Sequence, residues 1–82
     1  MAYRTQLKAE AMRGYEAAAT SRSPFLSTSD SDSAWHIGAW LKRTGQAAPC
    51  DVRPSRGHTY HVNGRKVRIS WTLGNTAIEL IG

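Results

Sequence analysis

The clearest alternation of apolar and polar positions in this chain runs from Arg65 to Leu73. Val67, Ile69, Trp71 and Leu73 fall on one side, and Lys66, Arg68, Ser70 and Thr72 on the other. A period of two marks a half-buried strand. Asn63-Gly64 precedes it, a pair that favours a type I′ hairpin turn. A two-residue loop there sets Val62 opposite Arg65, His61 opposite Lys66, Tyr60 opposite Val67 and Thr59 opposite Arg68. Gly74-Asn75 predicts a second tight turn, which sets Trp71 opposite Ile78, Ser70 opposite Glu79 and Ile69 opposite Leu80. The resulting three strands have an inner face of Tyr60, Val62, Val67, Ile69, Trp71, Leu73, Ile78 and Leu80. Thr59, His61, Lys66, Arg68, Ser70, Thr72 and Glu79 form the outer face.

Upstream the period changes to that of helices. Over residues 3–20, Tyr3, Leu7, Ala11, Gly14, Tyr15 and Ala18 make one stripe, and Glu10, Arg13 and Glu16 are expected to face water. A mid-helix glycine costs about 1 kcal/mol relative to alanine, so Gly14 predicts close approach of another backbone or a large ring. A serine-rich loop with Pro24 follows, with Phe25 and Leu26 as its expected tether to the core. Ser31 or Asp32 is the expected N-cap of a second helix over residues 33–44, ended by Gly45. Ala34, Ile37, Gly38 and Leu41 form its apolar stripe, flanked by Trp35 and Trp40, with His36 and Arg43 facing outward. The predicted fold is α+β, a two-helix hairpin packed on a three-stranded antiparallel β-meander in the order α-α-β-β-β. At 82 residues one domain is expected, divided into a helical hairpin (3–45), a connector with Pro49 and Pro54 (46–57) and the meander (58–82).

Charge adds a functional direction. The formal net charge is +5 and the isoelectric point about 10.0, which favours polyanionic partners. The excess concentrates between Arg53 and Arg68, where five Lys/Arg and two His occur without an acid. Arg53, Arg56, His61, Arg65, Lys66 and Arg68 are therefore the candidate nucleic-acid contacts, with Arg4 and Lys8 extending the surface. No aromatic side chain falls on the predicted outer face, so phosphate contact is expected there rather than base stacking.

Other chemistry is sparse. The single cysteine, Cys50, excludes an intramolecular disulfide and fits a reducing compartment. Met1 to Leu7 lacks the apolar run of a signal peptide, and no stretch approaches the roughly 20 apolar residues of a membrane span. A cytoplasmic, non-membrane protein is expected. His36, His58 and His61 do not form a metal motif with Cys50, and no phosphate-cradling glycine loop with a Lys-Ser/Thr ending occurs. The expectation is a non-catalytic protein without metal or cofactor.

Arg13-Gly14-Tyr15-Glu16-Ala17, then Arg22-Ser23-Pro24-Phe25, then Ala34-Trp35 through Gly38 to Trp40 occur in that order. This arrangement resembles the ribosome modulation factor family, over about residues 9–43. Members are small bacterial proteins that bind ribosomes, contact ribosomal RNA and promote inactive ribosome dimers. The resemblance implies a small basic protein that binds RNA or a ribonucleoprotein. The alternative is a phage- or mobile-element-encoded inhibitor that binds a host nucleoprotein complex, with Trp35 or Trp40 as its aromatic anchor.

Overall fold

A computed structural model describes residues 2–17, 23–25, 29–72 and 75–81, with side chains left out at 2–5, 72 and 75. It contains α1 (Ala2–Ala17), α2 (Asp30–Arg43), β1 (Val52–Pro54), β2 (Thr59–Val62), β3 (Arg65–Thr72) and β4 (Asn75–Leu80). The fold is α+β, and the sheet is antiparallel with four strands in the order β1-β2-β3-β4. The expected three-stranded meander is thus short by one strand, which arises inside the predicted connector. The expected places of Ala18, Leu26 and Leu73 lie outside the described residues, as do the side chains of Tyr3 and Arg4.

The two helices meet backbone to backbone. A Cβ added at Gly14 would lie 1.9 Å from the Trp35 carbonyl oxygen, and one at Gly38 would lie 1.7 Å from that of Ala11. Each glycine therefore admits the other helix's main chain, as the mid-helix position of Gly14 predicted. Around this crossing, Leu7, Ala11, Ala34 and Val52 form one buried cluster. Further along the same apolar stripe of α2, Ile37 and Leu41 pack on Tyr60, Val62, Val67 and Ile69 of the sheet. Tyr15, Trp40, Trp71 and Ile78 pack at the margin of this second cluster.

Helix α2 starts earlier than the Ser31 or Asp32 cap would allow. Ser29 is the N-cap, its Oγ accepting from Asp32 N–H at 3.1 Å. The two side chains that follow, Asp30 and Ser31, have tertiary partners instead. Ser31 Oγ donates to Glu10 Oε2 at 2.8 Å, and Tyr60 Oη donates to Asp30 Oδ1 at 2.7 Å. Glu10 also accepts from Gln6 at 3.1 Å, so it is buried between the helices rather than facing water. The other end agrees with the Gly45 stop. Gly45 has φ 71°, Gly45 N–H donates to Lys42 C=O at 3.2 Å, and Gln46 N–H to Leu41 C=O at 2.9 Å. This is the paired bonding of a Schellman motif.

Asn63 explains the extra strand. With Gly64 it makes the expected hairpin turn, both residues at positive φ (52° and 82°), and the β2–β3 register is the one predicted. Its side chain reaches back to the connector. Oδ1 accepts from Cys50 N–H at 2.8 Å and Asp51 N–H at 3.3 Å, while Nδ2 donates to Ala48 C=O at 3.2 Å. Only this amide orientation satisfies all three partners. Asn63 N–H adds a bond to Asp51 C=O at 2.9 Å. The chain leaving this clasp lies beside β2, with Val52 opposite Val62 and Pro54 opposite Tyr60. Proline is tolerated because β1 is an edge strand.

The β3–β4 pairing differs from the expected one by two residues. Ile69 lies opposite Ile78, Val67 opposite Leu80, and Thr72 opposite Asn75. A slip of two keeps every side chain on its face. The observed register also carries the pairing to Ile81 N–H, which donates to Lys66 C=O at 3.0 Å.

Two stability outcomes follow from these contacts. Gly38→Ala adds about 1 kcal/mol of helix propensity but forces a methyl into backbone that cannot rotate away, an overpacking cost at or above about 3 kcal/mol. Gly14→Ala meets the same obstacle. Each should lower the melting temperature by more than about 10 °C in a domain of this size; a shift within about 4 °C would contradict the close crossing. Asn63→Gly keeps the turn and removes the clasp. Urea unfolding should show a loss of about 2 kcal/mol, with faster hydrogen exchange at Cys50 and Asp51. Asn63→Ala should cost about 1 kcal/mol more, because alanine resists positive φ.

Candidate nucleic-acid interface

Both helices pack on the inner face of the sheet, and no described element covers its outer face. That face presents a basic row. Register places Arg53 opposite His61, and His61 opposite Lys66, so the three side chains sit side by side on adjacent strands about 4.8 Å apart. Arg68 lies two residues further along β3, between Thr59 and Glu79. Ser70 and Ala77 continue the face without charge.

Two acids border the row. Arg53 Nε lies 3.2 Å from Asp51 Oδ2, and Arg68 Nη1 lies 3.9 Å from Glu79 Oε1. The side chains of the second pair are 55% and 65% exposed. Solvent-exposed pairs are worth about 0–1 kcal/mol, so a phosphate can replace either acid at little cost. Lys66 has no ion pair among the described residues. The face offers separated cations with little apolar surface, and His61 is its one ring among the described side chains. This arrangement suits contact with a phosphate backbone rather than stacking of bases.

The structure divides the six candidate contacts. Arg53, His61, Lys66 and Arg68 come together on one face. Arg65 belongs to the other: it lies opposite buried Val62, and its Nη1 donates to Gln46 Oε1 at 3.3 Å. Arg56 is exposed in the turn between β1 and β2, at the far end of the hairpin from Arg65. Lys8 is exposed on α1. By its sequence position Arg53 belongs to the connector; its place in the row depends on β1, whose three residues are too few to show a period.

The two candidate anchors separate as well. Trp35 is 3% exposed, its backbone against Gly14 and its ring edge-on to His36 at 5.2 Å. It is a core residue and not a surface anchor. Trp40 is only partly buried and lines an open groove of about 300 Å³ with Leu41, Ala47, Val62, Val67 and Leu80. That groove gave no signal in the sequence, because its walls come from four separate elements.

Among the described residues, the remaining His and Cys side chains make separate local contacts. His36 Nε2 lies 3.4 Å from Asp32 Oδ1 within α2, and His58 packs edge-on to Trp71 at 4.8 Å. Cys50 is exposed, with Sγ 3.2 Å from Asn63 Oδ1. Among the described residues, no three His, Cys, Asp or Glu side chains gather to hold a metal ion, and no helix is long and apolar enough to cross a membrane.

Lys66→Gln and Arg65→Gln remove the same charge from adjacent positions on opposite faces. In titrations of a labelled oligouridylate at several salt concentrations, Lys66→Gln should lower the slope of log K against log salt by about 0.7. Arg65→Gln should leave the slope unchanged. Equal losses would show that net charge rather than the outer face governs binding. Compared with protein-family models, curated proteins and solved structures, the chain gives no significant match.

Proposed function

We propose that this chain is a small cytoplasmic module that binds RNA or a ribonucleoprotein without catalysing a reaction, in the manner of the ribosome modulation factor family. The supporting observation is the Arg53–His61–Lys66 row on an uncovered sheet face, with Arg68 beside it. Three cations and an imidazole on a hydrogen-bonded sheet keep their spacing when a polyanion approaches. Phosphate contacts of this kind supply affinity and orientation with little sequence preference. The net charge of +5 adds long-range attraction that salt screens. Arg56, exposed at the β1–β2 turn, adds a further charge next to the sheet. The resemblance in residues 9–43 points to the ribosome as that target. Its glycine and tryptophan positions build the helix crossing, so on this reading the helices hold the sheet that makes the contact.

Purified protein should co-sediment with ribosomes at low salt and be released as salt rises. Its affinity for single-stranded RNA should fall with a log–log slope of about −2, the value for the three charged contacts Arg53, Lys66 and Arg68. Lys66→Glu combined with Arg68→Glu should abolish both. Absence of ribosome association together with no RNA binding at low salt would refute the reading.

A further inference from the structure

The groove on the other side of the molecule has a chemistry of its own. Its walls are Trp40 and Leu41 near the end of α2, Ala47 after it, and Val62, Val67 and Leu80 from the sheet. Gln46, Asn63 and Arg65 supply its polar atoms. Two of these three are already engaged. The Asn63 amide is held by residues 48–51. The Gln46 amide donates to Thr44 Oγ1 at 2.8 Å and accepts from Arg65. What remains is the guanidinium of Arg65, whose fork has five N–H donors and here meets one neutral acceptor. No described residue lining the groove is acidic.

These facts define the occupant. The apolar walls, including Leu80 at 48% exposure, call for an apolar side chain. The spent amides leave little to read the edge of a nucleobase. The unmatched guanidinium calls for a carboxylate, which it can bind through two parallel hydrogen bonds. A volume of about 300 Å³ is at the small end for ligand pockets, roughly 300–1,000 Å³, and fits a side chain or two. An apolar centre with a charged rim is also the anatomy of a protein interface.

We propose that this groove docks an apolar side chain from an acidic segment of a partner protein, with a carboxylate next to that side chain paired to Arg65. The site is separate from the basic sheet face, so the protein has one face for a polyanion and another for a peptide. A protein of this form can hold a polypeptide component and the RNA of one ribonucleoprotein together. The groove proposal does not depend on the RNA reading.

The test is selection of a displayed library of short random peptides on the intact protein, followed by titration of the enriched sequences. The expected consensus is a large apolar residue flanked by Asp or Glu. Amide chemical-shift changes on binding should cluster at the Trp40 indole N–H, Ala47, Arg65 and Leu80, and spare Arg53 and Arg68. Arg65→Glu and Leu80→Asp alter exposed positions, and melting curves will check that both variants fold. Each should weaken the peptide about tenfold or more, equivalent to about 1.4 kcal/mol, while oligouridylate binding at the outer face persists in Leu80→Asp. Lys66→Glu should weaken RNA binding and leave the peptide in place. A consensus without acids, equal affinity for Arg65→Glu, shift changes outside the groove, or displacement of the peptide by oligouridylate or decanoate would overturn the proposal. So would concentration-dependent self-association that Leu80→Asp abolishes, which would assign the groove to a second copy of the chain.

Discussion

The contact between the backbones of α1 and α2 is the constraint on which the other parts depend. Helices packed through ordinary side chains lie 8–10 Å apart. At Gly14 and Gly38 there is no room for even a methyl group. This closeness lets α1, an alanine-rich helix with few large apolar side chains, bury Leu7 and Ala11. It also lets both helices share the inner face of the sheet, α2 packing on β2 and β3 while α1 reaches Val52 of β1. Asp32, Ser33, Ala34, Trp35, Ile37, Gly38, Ala39 and Leu41 are all buried on that one helix. A short chain has a poor ratio of interior to surface. A helix that packs against both α1 and the sheet offsets that disadvantage.

The hairpin tip has the second organising role. Asn63 adopts the left-handed conformation that the turn requires and also fastens the chain from Ala48 to Asp51. Through that fastening, Val52 reaches the Leu7 and Ala11 cluster, and Arg53 reaches the side of His61. The same few bonds thus close the core under α1 and complete the basic row. Because the helices occupy only the inner face, that row stays open to solvent. Beside the tip, the inner face extends past the end of α2, and the uncovered part is the Trp40 groove. The two surfaces that carry the functional readings are both consequences of how far the helices cover the sheet.

Local patterns were legible where a residue's neighbours in sequence are also its neighbours in space. The β2–β3 register followed from period two on both arms and an Asn-Gly turn. The end of α2 followed from Gly45. Gly14 announced a close contact, because a mid-helix glycine has a cost that packing must offset. His61, Lys66 and Arg68 could be assigned to one face by alternation alone. Charge density, in contrast, carries no information about faces, so it grouped Arg65 and Arg56 with residues from which the fold separates them.

What the sequence by itself determined is therefore the class of fold, the central hairpin with its register, and the polar face of β3. Tertiary structure decided the rest. A three-residue strand containing Pro54 has no readable period, and β1 exists because Asn63 and Val52 find partners far along the chain. The β3–β4 register differs by two from the expected one, and either pairing keeps the faces intact, so alternation alone does not choose between them. Ser31, Glu10 and Trp35 were drawn inward because α1 and α2 meet where these residues lie. For β1 and for these inward residues the deciding contacts join segments distant in sequence, which propensity and periodicity do not contain.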